Sequence, residues 1–198
     1  MTCPRDAVAI DDRLTLRRFV NPADLPELHR VLGESVDHLR PWMDWVDDHS
    51  PEWTAGFLSR RDRDWEAGTS YTYAVVLDGA IVGACGLHVQ EDTPPGTYEI
   101  GYWLHPAATG RGVATRAVRT LTAEGFRLPH VRQLLVMHLP ENHASAGVPA
   151  RLGFTEVDRA QGEEGEEFRV WRLTRAEATA EPASIRRPPG ARTRANSA

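Results

Sequence analysis

The chain contains no lysine, and all 23 of its basic residues are arginines. This absence excludes a phosphate-binding P-loop lysine, a Schiff-base lysine and a lysine general base. Cysteine is almost as rare, because Cys3 and Cys85 are the only two in 198 residues. Two cysteines cannot build a disulfide framework, and no C-x-x-C pair is present for zinc or redox chemistry.

Charge and hydropathy exclude further classes of protein. The net charge is -5 and the sequence pI is about 5.9. We therefore expect no nucleic-acid partner, which would require a basic face. No apolar run approaches the roughly 20 residues of a membrane span, and the first thirty residues lack the apolar core of a signal peptide. The histidines show no ligand-spaced pair, so we expect no metal site. The prediction is a cytoplasmic protein without a membrane partner.

The end of the chain differs in composition from the rest. Residues 176–198 hold four Arg, two Glu and three Pro, with Ile185 as the only large apolar side chain. Such a segment cannot bury enough apolar surface to offset the entropy of ordering it. We predict one domain over residues 1–175 and a disordered, solvated tail over 176–198.

The order of predicted strands and helices indicates a mixed sheet of about seven strands. Asp78 and Gly79 join two β-rich runs as a hairpin turn. Residues 97–105 and 131–138 are predicted strands with a helix from about Gly112 between them. A strand–helix–strand unit of this kind is parallel and right-handed. The remaining strands are joined by hairpins, so most of the sheet is expected to be antiparallel.

Proline marks three predicted helices. The pairs Asn21-Pro22 and Ser50-Pro51 each resemble an N-cap followed by proline at the first helical position. A third helix is predicted over residues 142–152, although it contains Pro149. Because proline inside a helix removes a hydrogen bond, we expect this helix to begin late, near Ser145, or to be kinked.

The segment between the two parallel strands is the most informative part of the sequence. Gly110, Arg111 and Gly112 precede the predicted helix. A helix start carries unpaired N–H groups and a partial positive charge, and glycine lets an anion approach those groups. Arg111 can add a charge-assisted bond to a phosphate. The alternative is that both glycines serve turn geometry only.

A dinucleotide-binding unit is disfavoured at this segment. Thr115 stands where the third glycine of G-x-G-x-x-G would be, and the segment lies in the middle of the chain. Only one strand–helix–strand crossover is clear, whereas a doubly wound sheet has several.

The sequence resembles the GNAT family of N-acetyltransferases, and within it the RimJ/RimL-like branch that acetylates the N-termini of ribosomal proteins. Four stretches carry the resemblance, in order along the chain: residues 39–45 (LRPWMDW), 99–104 (EIGYWL), 110–115 (GRGVAT) and 142–154 (NHASAGVPARLGF). It covers about residues 13–174. It implies an α/β (α+β) fold with a mostly antiparallel sheet, one splayed pair of parallel strands and flanking helices.

The resemblance also implies acetyl-CoA as the co-substrate. The coenzyme would enter the gap between the splayed strands, with its pyrophosphate on the amides of residues 110–115. The implied coenzyme contacts are Trp103, Leu104, Gly110, Arg111, Gly112, Val113, Ala114, Thr115 and Asn142. Backbone N–H groups at Trp103 or Leu104 would polarise the thioester carbonyl, and the sequence does not choose between them.

Three positions depart from the family pattern. Arg116 stands where this branch often has Glu. Thr109 replaces a residue that is commonly Gln or Arg at the start of the phosphate loop. Pro149 stands where many members have a tyrosine that serves as an acid toward the departing thiolate. This chain must therefore protonate the thiolate from another group.

Glu99 and Ser145 are the predicted catalytic residues. Glu99 lies on the strand that flanks the proposed acetyl site and is the candidate base, alone or through water. Ser145 is the candidate donor to the leaving sulfur. Their alternative roles are an ion-paired strand residue for Glu99 and a helix cap for Ser145.

The acceptor is predicted to be a primary amine, more specifically a protein N-terminus. Trp42, Asp44 and Trp45 are expected to line the acceptor side, where Asp44 would attract a cationic amine. Two alternatives stay open: acetylation of a small amine such as an antibiotic, amino acid or polyamine, and a non-catalytic acyl-CoA sensor. The sequence does not decide between a monomer and a homodimer.

Overall fold

A computed structural model describes residues 3–89, 93–162 and 165–180. These residues form a single sheet of eight strands with helices on both faces. The strands are β1 (Ala7–Ala9), β2 (Leu14–Arg18), β3 (Ser70–Leu77), β4 (Ala80–Val89), β5 (Thr97–Leu104), β6 (Gln133–His138), β7 (Thr155–Gln161) and β8 (Glu167–Thr174).

Six α-helices lie between and after the strands. They are α1 (Leu25–Gly33), α2 (Val36–Leu39), α3 (Pro51–Ala67), α4 (Val113–Arg127), α5 (His143–Arg151) and α6 (Arg175–Thr179). Two short 3-10 helices span Asp44–Asp48 and Pro106–Ala108. Within the described ranges, no helix is both long enough and apolar enough to cross a membrane.

The strand order is β1-β2-β3-β4-β5-β6-β8-β7, and β5–β6 is the only parallel pair in the described sheet. That pair is short, because its register runs only from Thr97 opposite Gln133 to Glu99 opposite Leu135. Beyond this point β5 continues to Leu104 along β4, and β6 continues to His138 along β8. The two strands therefore separate, which confirms the predicted mixed sheet with a splayed parallel pair.

The two faces of the sheet bury separate hydrophobic clusters. On one face Val118 and Leu121 of α4 and Val148 of α5 pack with side chains of the central strands. On the other face Leu32 of α1 and Leu58 of α3 do the same. Because side chains alternate along a strand, successive residues of β5 near the gap serve opposite faces of the sheet.

Several predicted turns and caps are confirmed. Asp78 and Gly79 both have positive φ, 52° and 83°, as the two-residue hairpin between β3 and β4 requires. Ser50 caps α3, since its Oγ accepts from the Trp53 N–H at 3.0 Å. The sequence did not predict β1, which raises the strand count from about seven to eight.

The start of α1 differs from the prediction. The helix begins at Leu25, with Asp24 at the N-cap position, rather than at Pro22. Asp24 is buried and accepts two hydrogen bonds from the Arg17 guanidinium, at 2.7 and 2.9 Å. Its carboxylate also accepts from the Val20 N–H at 2.7 Å, which ties the end of β2 to the helix start. The proline in the first turn of α1 is therefore Pro26 and not Pro22.

The segment predicted to be disordered begins as helix α6. Thr174 and Glu177 form a capping box at its start, with the Glu177 N–H donating to Thr174 Oγ1 at 3.2 Å. The Arg175 guanidinium donates to the carbonyls of Phe126 and Leu128 at 2.7 and 2.6 Å, and so holds the end of α4. Residues 181–198 lie outside the described residues.

Candidate active site

Backbone hydrogen bonding distinguishes the two amides proposed for the thioester carbonyl. The His105 N–H donates to the Val82 carbonyl at 2.7 Å, and the register pairs Trp103 with Ala84. Bonded and non-bonded pairs alternate along an antiparallel ladder, so the Trp103 amide bonds to β4 and the Leu104 amide faces the other edge of β5. That edge adjoins the gap, because the parallel ladder has already ended. Leu104 therefore supplies the amide that points toward the gap.

The predicted phosphate loop leads directly into α4. Gly110 and Gly112 both have positive φ, 69° and 71°, and neither would bring an added Cβ within 4 Å of another atom. The first helical hydrogen bond runs from the Arg116 N–H to the Gly112 carbonyl at 3.1 Å. The amides of Val113, Ala114 and Thr115 thus head the helix without intrahelical acceptors. Open space before a helix N-terminus fits a pyrophosphate, and these residues fit coenzyme A.

A pocket of about 410 Å³ beside this loop is lined by three arginines and two aspartates, with Leu77 and Val113: Arg13, Arg111, Arg116, Asp11 and Asp12. Arg116 is paired with Asp11, and Arg13 is paired with Asp78. The backbone N–H of Arg13 and the charge of Arg116 help hold the pKa of Asp11 below its usual value. Arg111 lines the same pocket and makes no ion pair in the described ranges. A phosphate could therefore bind the Arg111 guanidinium without first breaking an ion pair with a carboxylate.

A second pocket, of about 260 Å³, opens on the face covered by α1 and α3. Its walls are aromatic: Trp45 stacks on Trp53 at 5.1 Å between ring centroids, and Trp53 stacks on Phe57 at 5.6 Å. Trp103 of β5 lies 6.4 Å from Trp45. The lining also includes Leu28, Leu32, Met43, Thr72, Ala84, Cys85, Gly86, His88, Gly101 and Tyr102. We call this the aromatic pocket.

The helix that carries Ser145 begins earlier than predicted. It starts at His143, and Asn142 is its cap, with Asn142 Oδ1 accepting from the Ser145 N–H at 3.0 Å. The capping role suggested for Ser145 is therefore wrong. Pro149 lies inside the helix and has no N–H to offer to the Ser145 carbonyl. The Tyr102 hydroxyl donates to that carbonyl instead, at 3.1 Å, which explains how the helix accommodates the proline.

Tyr102 also contacts the Ser145 side chain. The two hydroxyl oxygens are 2.8 Å apart, and Tyr102 lines the aromatic pocket. Burial raises the pKa of Tyr102 to about 12, so its hydroxyl stays protonated near neutral pH. Either hydroxyl can be the donor of this pair. The Tyr102 hydroxyl therefore fixes the position of Ser145 Oγ.

We expect Tyr102→Phe to destabilise the protein by about 1–3 kcal/mol, because it leaves the Ser145 carbonyl without a donor. For a chain of this length the melting temperature should fall by roughly 2–4 °C per kcal/mol. Tyr71→Phe is the matched control, since Tyr71 is also buried and its hydroxyl makes no hydrogen bond among the described side chains. Equal melting temperatures for the two variants would contradict this account of Pro149.

The structure brings some predicted site residues together and separates others. Trp45 and Trp103 both line the aromatic pocket, and Tyr102 links Ser145 to it. Trp42 is half-buried and Asp44 is exposed at the start of a 3-10 helix, and neither is part of the pocket wall. Glu99 is half-buried on β5, opposite His88 of β4 in the register. Its role as the base stays a prediction.

Sequence reasoning missed most of the aromatic pocket. Trp53 and Phe57 lie four residues apart, the spacing of a core-facing helix, so their positions in the sequence predict a buried face of α3 rather than a pocket wall. Tyr102 was noted only as part of the motif over residues 99–104. The signal that could have identified it is the proline at position 149, which leaves a carbonyl that needs a donor from another element. His88 carried no sequence signal at all. No group of three or more potential metal ligands occurs in the part of the chain that the structure describes.

Comparison with known proteins identifies the family. The model of the acetyltransferase (GNAT) domain matches residues 13–155, which include the phosphate loop, the splayed strands and Ser145. The chain belongs to this family. The prediction of an acetyl-CoA-dependent N-acetyltransferase is confirmed.

Individual proteins that are similar to this chain support its place in the RimJ/RimL-like branch of the GNAT family. The putative ribosomal N-acetyltransferase YdaF of Bacillus subtilis (strain 168) is 25% identical over 162 residues, 77% of this chain and 83% of that protein. Among solved structures, RimL, a ribosomal alpha-N-protein acetyltransferase in complex with coenzyme A, superposes with a TM-score of 0.78 at 20% identity. That alignment covers 87% of this chain and 99% of RimL.

A solved structure with a different set of bound ligands has the same fold. The microcin C7 self-immunity acetyltransferase MccE, in complex with acetyl-CoA and AMP, also reaches a TM-score of 0.78, at 18% identity. The alignment covers 85% of this chain and 96% of MccE. At these identities the solved structures show that this chain has the GNAT fold.

Proposed function

We propose that the protein acetylates the N-terminal α-amine of a protein, by direct attack of the amine on acetyl-CoA in a ternary complex. The observation that carries the proposal is a pair of pockets on opposite faces of the sheet. The phosphate loop at the start of α4 serves the coenzyme, and the aromatic pocket serves the acceptor. Tyr102 lines the aromatic pocket and bonds to Ser145 of α5, which supports a reaction centre near these two side chains. The named ribosomal N-acetyltransferases among the relatives support a protein acceptor in the cytoplasm.

The chemistry needs a neutral amine, a polarised carbonyl and a stabilised thiolate. An α-amine has an ordinary pKa of about 7.7–8.0, so a large fraction is neutral at slightly alkaline pH without help. The amide of Leu104 donates to the thioester oxygen as negative charge develops there. Ser145 Oγ donates to the departing sulfur. Glu99, acting through water, is the base that the sequence predicts.

A small-molecule amine is the second candidate acceptor, and the walls of the aromatic pocket favour it. Three stacked rings, Trp45, Trp53 and Phe57, offer a flat apolar surface that suits a planar ring as well as a peptide side chain. MccE, which shares the fold, was solved with AMP as well as acetyl-CoA. A screen of N-terminal peptides against small amines, followed by release of free thiol, separates the two candidates.

Acetyl-CoA should raise the melting temperature of the protein, because a ligand that binds only the folded state stabilises it by mass action. At a concentration of about 100 Kd the stabilisation is about 2.7 kcal/mol. For a chain of this length that corresponds to roughly 5–10 °C. NAD is the control and should cause no shift. Stabilisation by NAD but not by acetyl-CoA would overturn the assignment of the cleft.

A further inference from the structure

His88 is the only imidazole among the residues that line the aromatic pocket, whose other polar side chains are Thr72 and Tyr102. It lies near the end of β4, and its side chain shares a face of the sheet with Gly86 and with Gly101 of β5. An added Cβ at Gly86 would lie 2.9 Å from His88 Nε2, and one at Gly101 would lie 3.5 Å from it. The ring edge that carries Nε2 therefore lies over this pair of glycines, which themselves line the pocket. Any side chain at Gly86 would collide with it.

The other ring nitrogen is fixed by a chain of hydrogen bonds. His88 Nδ1 lies 2.9 Å from Ser70 Oγ, and Ser70 Oγ lies 3.0 Å from Thr72 Oγ1. Arg61 Nη1 donates to Thr72 Oγ1 at 2.9 Å, and Arg61 Nη2 donates to Asp64 Oδ2 at 2.9 Å. We assign the ring proton to Nδ1, where it donates to Ser70 Oγ. Ser70 then donates to Thr72, and Nε2 keeps a free lone pair.

We propose that His88 Nε2 accepts the proton of the attacking amine. The inference rests on the proposed function, an acetyl transfer to an amine bound in the aromatic pocket. As the amine nitrogen bonds to the carbonyl carbon, the carbonyl π electrons move to oxygen, and the nitrogen becomes acidic and loses one proton to His88 Nε2. The carbonyl then re-forms, and the carbon–sulfur bond breaks with its electron pair on sulfur. Sulfur takes a proton from Ser145 Oγ, Ser145 Oγ regains a proton from solvent, and His88 returns its proton to solvent, so the protein neither gains nor loses a proton.

The charges around His88 keep it neutral before the reaction. Burial is the main cause that lowers the pKa of His88, to about 4, and the positive charge of Arg61 adds to this. Asp64, from the same helix, acts in the opposite direction. Glu99 faces His88 from β5, and Tyr102 lines the same pocket. A neutral imidazole is the form that can receive a proton at pH 7, and it is too weakly basic to hold that proton for long.

This role differs from the one that the sequence predicts for Glu99. Glu99 is opposite His88 in the register but is not part of the pocket wall. The transfer of the amine proton needs only His88 Nε2. The proton can afterwards leave His88 toward Glu99 or toward solvent. If Glu99 is the base, Glu99→Gln should lower kcat more than His88→Gln. If His88 is the base, the order is reversed.

Steady-state kinetics compares His88→Gln with Glu99→Gln. We expect His88→Gln to lower kcat by about 10²-fold or more, the usual range for a lost general base, with the KM for acetyl-CoA unchanged. Glu99→Gln should cost less. Ser70→Ala should lower kcat by about 10-fold, because it removes the group that orients the ring. His38→Gln, which changes an exposed histidine of α2, is the matched control and should retain wild-type kcat. A kcat within twofold of wild type for His88→Gln, or a larger loss for Glu99→Gln, would overturn the proposal.

Nitrogen NMR of the protein labelled with ¹⁵N-histidine gives a readout that does not depend on turnover. The signals that disappear from the spectrum of the His88→Gln variant are assigned to His88. We expect a neutral ring at pH 7 with the proton on Nδ1, and a shift toward the other tautomer in Ser70→Ala. A proton on Nε2, or a charged ring at pH 7, would rule out His88 as the acceptor. If no amine supports thiol release by the wild-type protein, the proposed function fails, and the tautomer still decides whether His88 has the lone pair that the inference requires.

Discussion

Replacing Ser145 with alanine should lower kcat and kcat/KM together, by about 10²-fold or more, while acetyl-CoA still binds with nearly wild-type affinity. The reason is that Ser145 Oγ donates to sulfur only as the carbon–sulfur bond breaks. An interaction that forms mainly in the transition state contributes to kcat rather than to ground-state affinity. The structure strengthens this expectation, since the capping role belongs to Asn142 and the serine hydroxyl is paired with Tyr102.

Stability measurements separate the catalytic role of Ser145 from a structural one. Ser145→Ala loses one hydrogen bond to Tyr102, so the free energy of unfolding should fall by about 1 kcal/mol. Ser59→Ala is the matched control: Ser59 is an exposed serine of α3 whose Oγ donates to the Gly56 carbonyl at 2.9 Å. A Ser145→Ala protein with a lowered melting temperature and near-normal kcat would remove Ser145 from the mechanism. Water would then be the simplest proton donor, because Pro149 has no proton to give.

The fold was largely predictable because its signals are local. The hairpin at Asp78 and Gly79, the cap at Ser50 and the glycines before α4 each depend on a few neighbouring residues. The start of α1 was misplaced because two prolines, Pro22 and Pro26, occur within five residues of each other. The helix begins after Asp24, whose buried carboxylate is held by the Arg17 guanidinium. That ion pair joins residues seven positions apart, and hydrophobic periodicity carries no information about it.

The candidate site was predictable only where one segment supplies it. The phosphate loop is continuous in sequence, so Gly110 to Thr115 could be assigned from residue order. The aromatic pocket and the bond between Tyr102 and Ser145 combine residues from four or more elements. His88 becomes a candidate only when the register of β4 and β5 places it over two glycines. Such juxtapositions follow from strand pairing, which single-residue patterns do not specify.

The second large effect is expected at the phosphate loop. Gly112→Val should weaken acetyl-CoA binding by about 10²-fold or more, since it removes two or more amide–phosphate bonds worth about 1.5–3 kcal/mol each. Gly112 caps α4 and its Cβ position is open, which is the space that a pyrophosphate would occupy. A branched side chain fills that space directly above the amides of Val113 and Ala114. Isothermal titration with acetyl-CoA measures the loss.

Backbone strain at Gly112 requires its own control. Gly112 has a φ of 71°, so valine destabilises the fold there even without a ligand. Gly153 has a φ of 81° and equally open surroundings, and it lies after α5, outside the phosphate loop. Gly153→Val should therefore show a similar fall in melting temperature and a nearly unchanged affinity for acetyl-CoA. Equal affinity losses in both variants would indicate that strain alone is responsible, and unchanged affinity in Gly112→Val would place the pyrophosphate away from the start of α4.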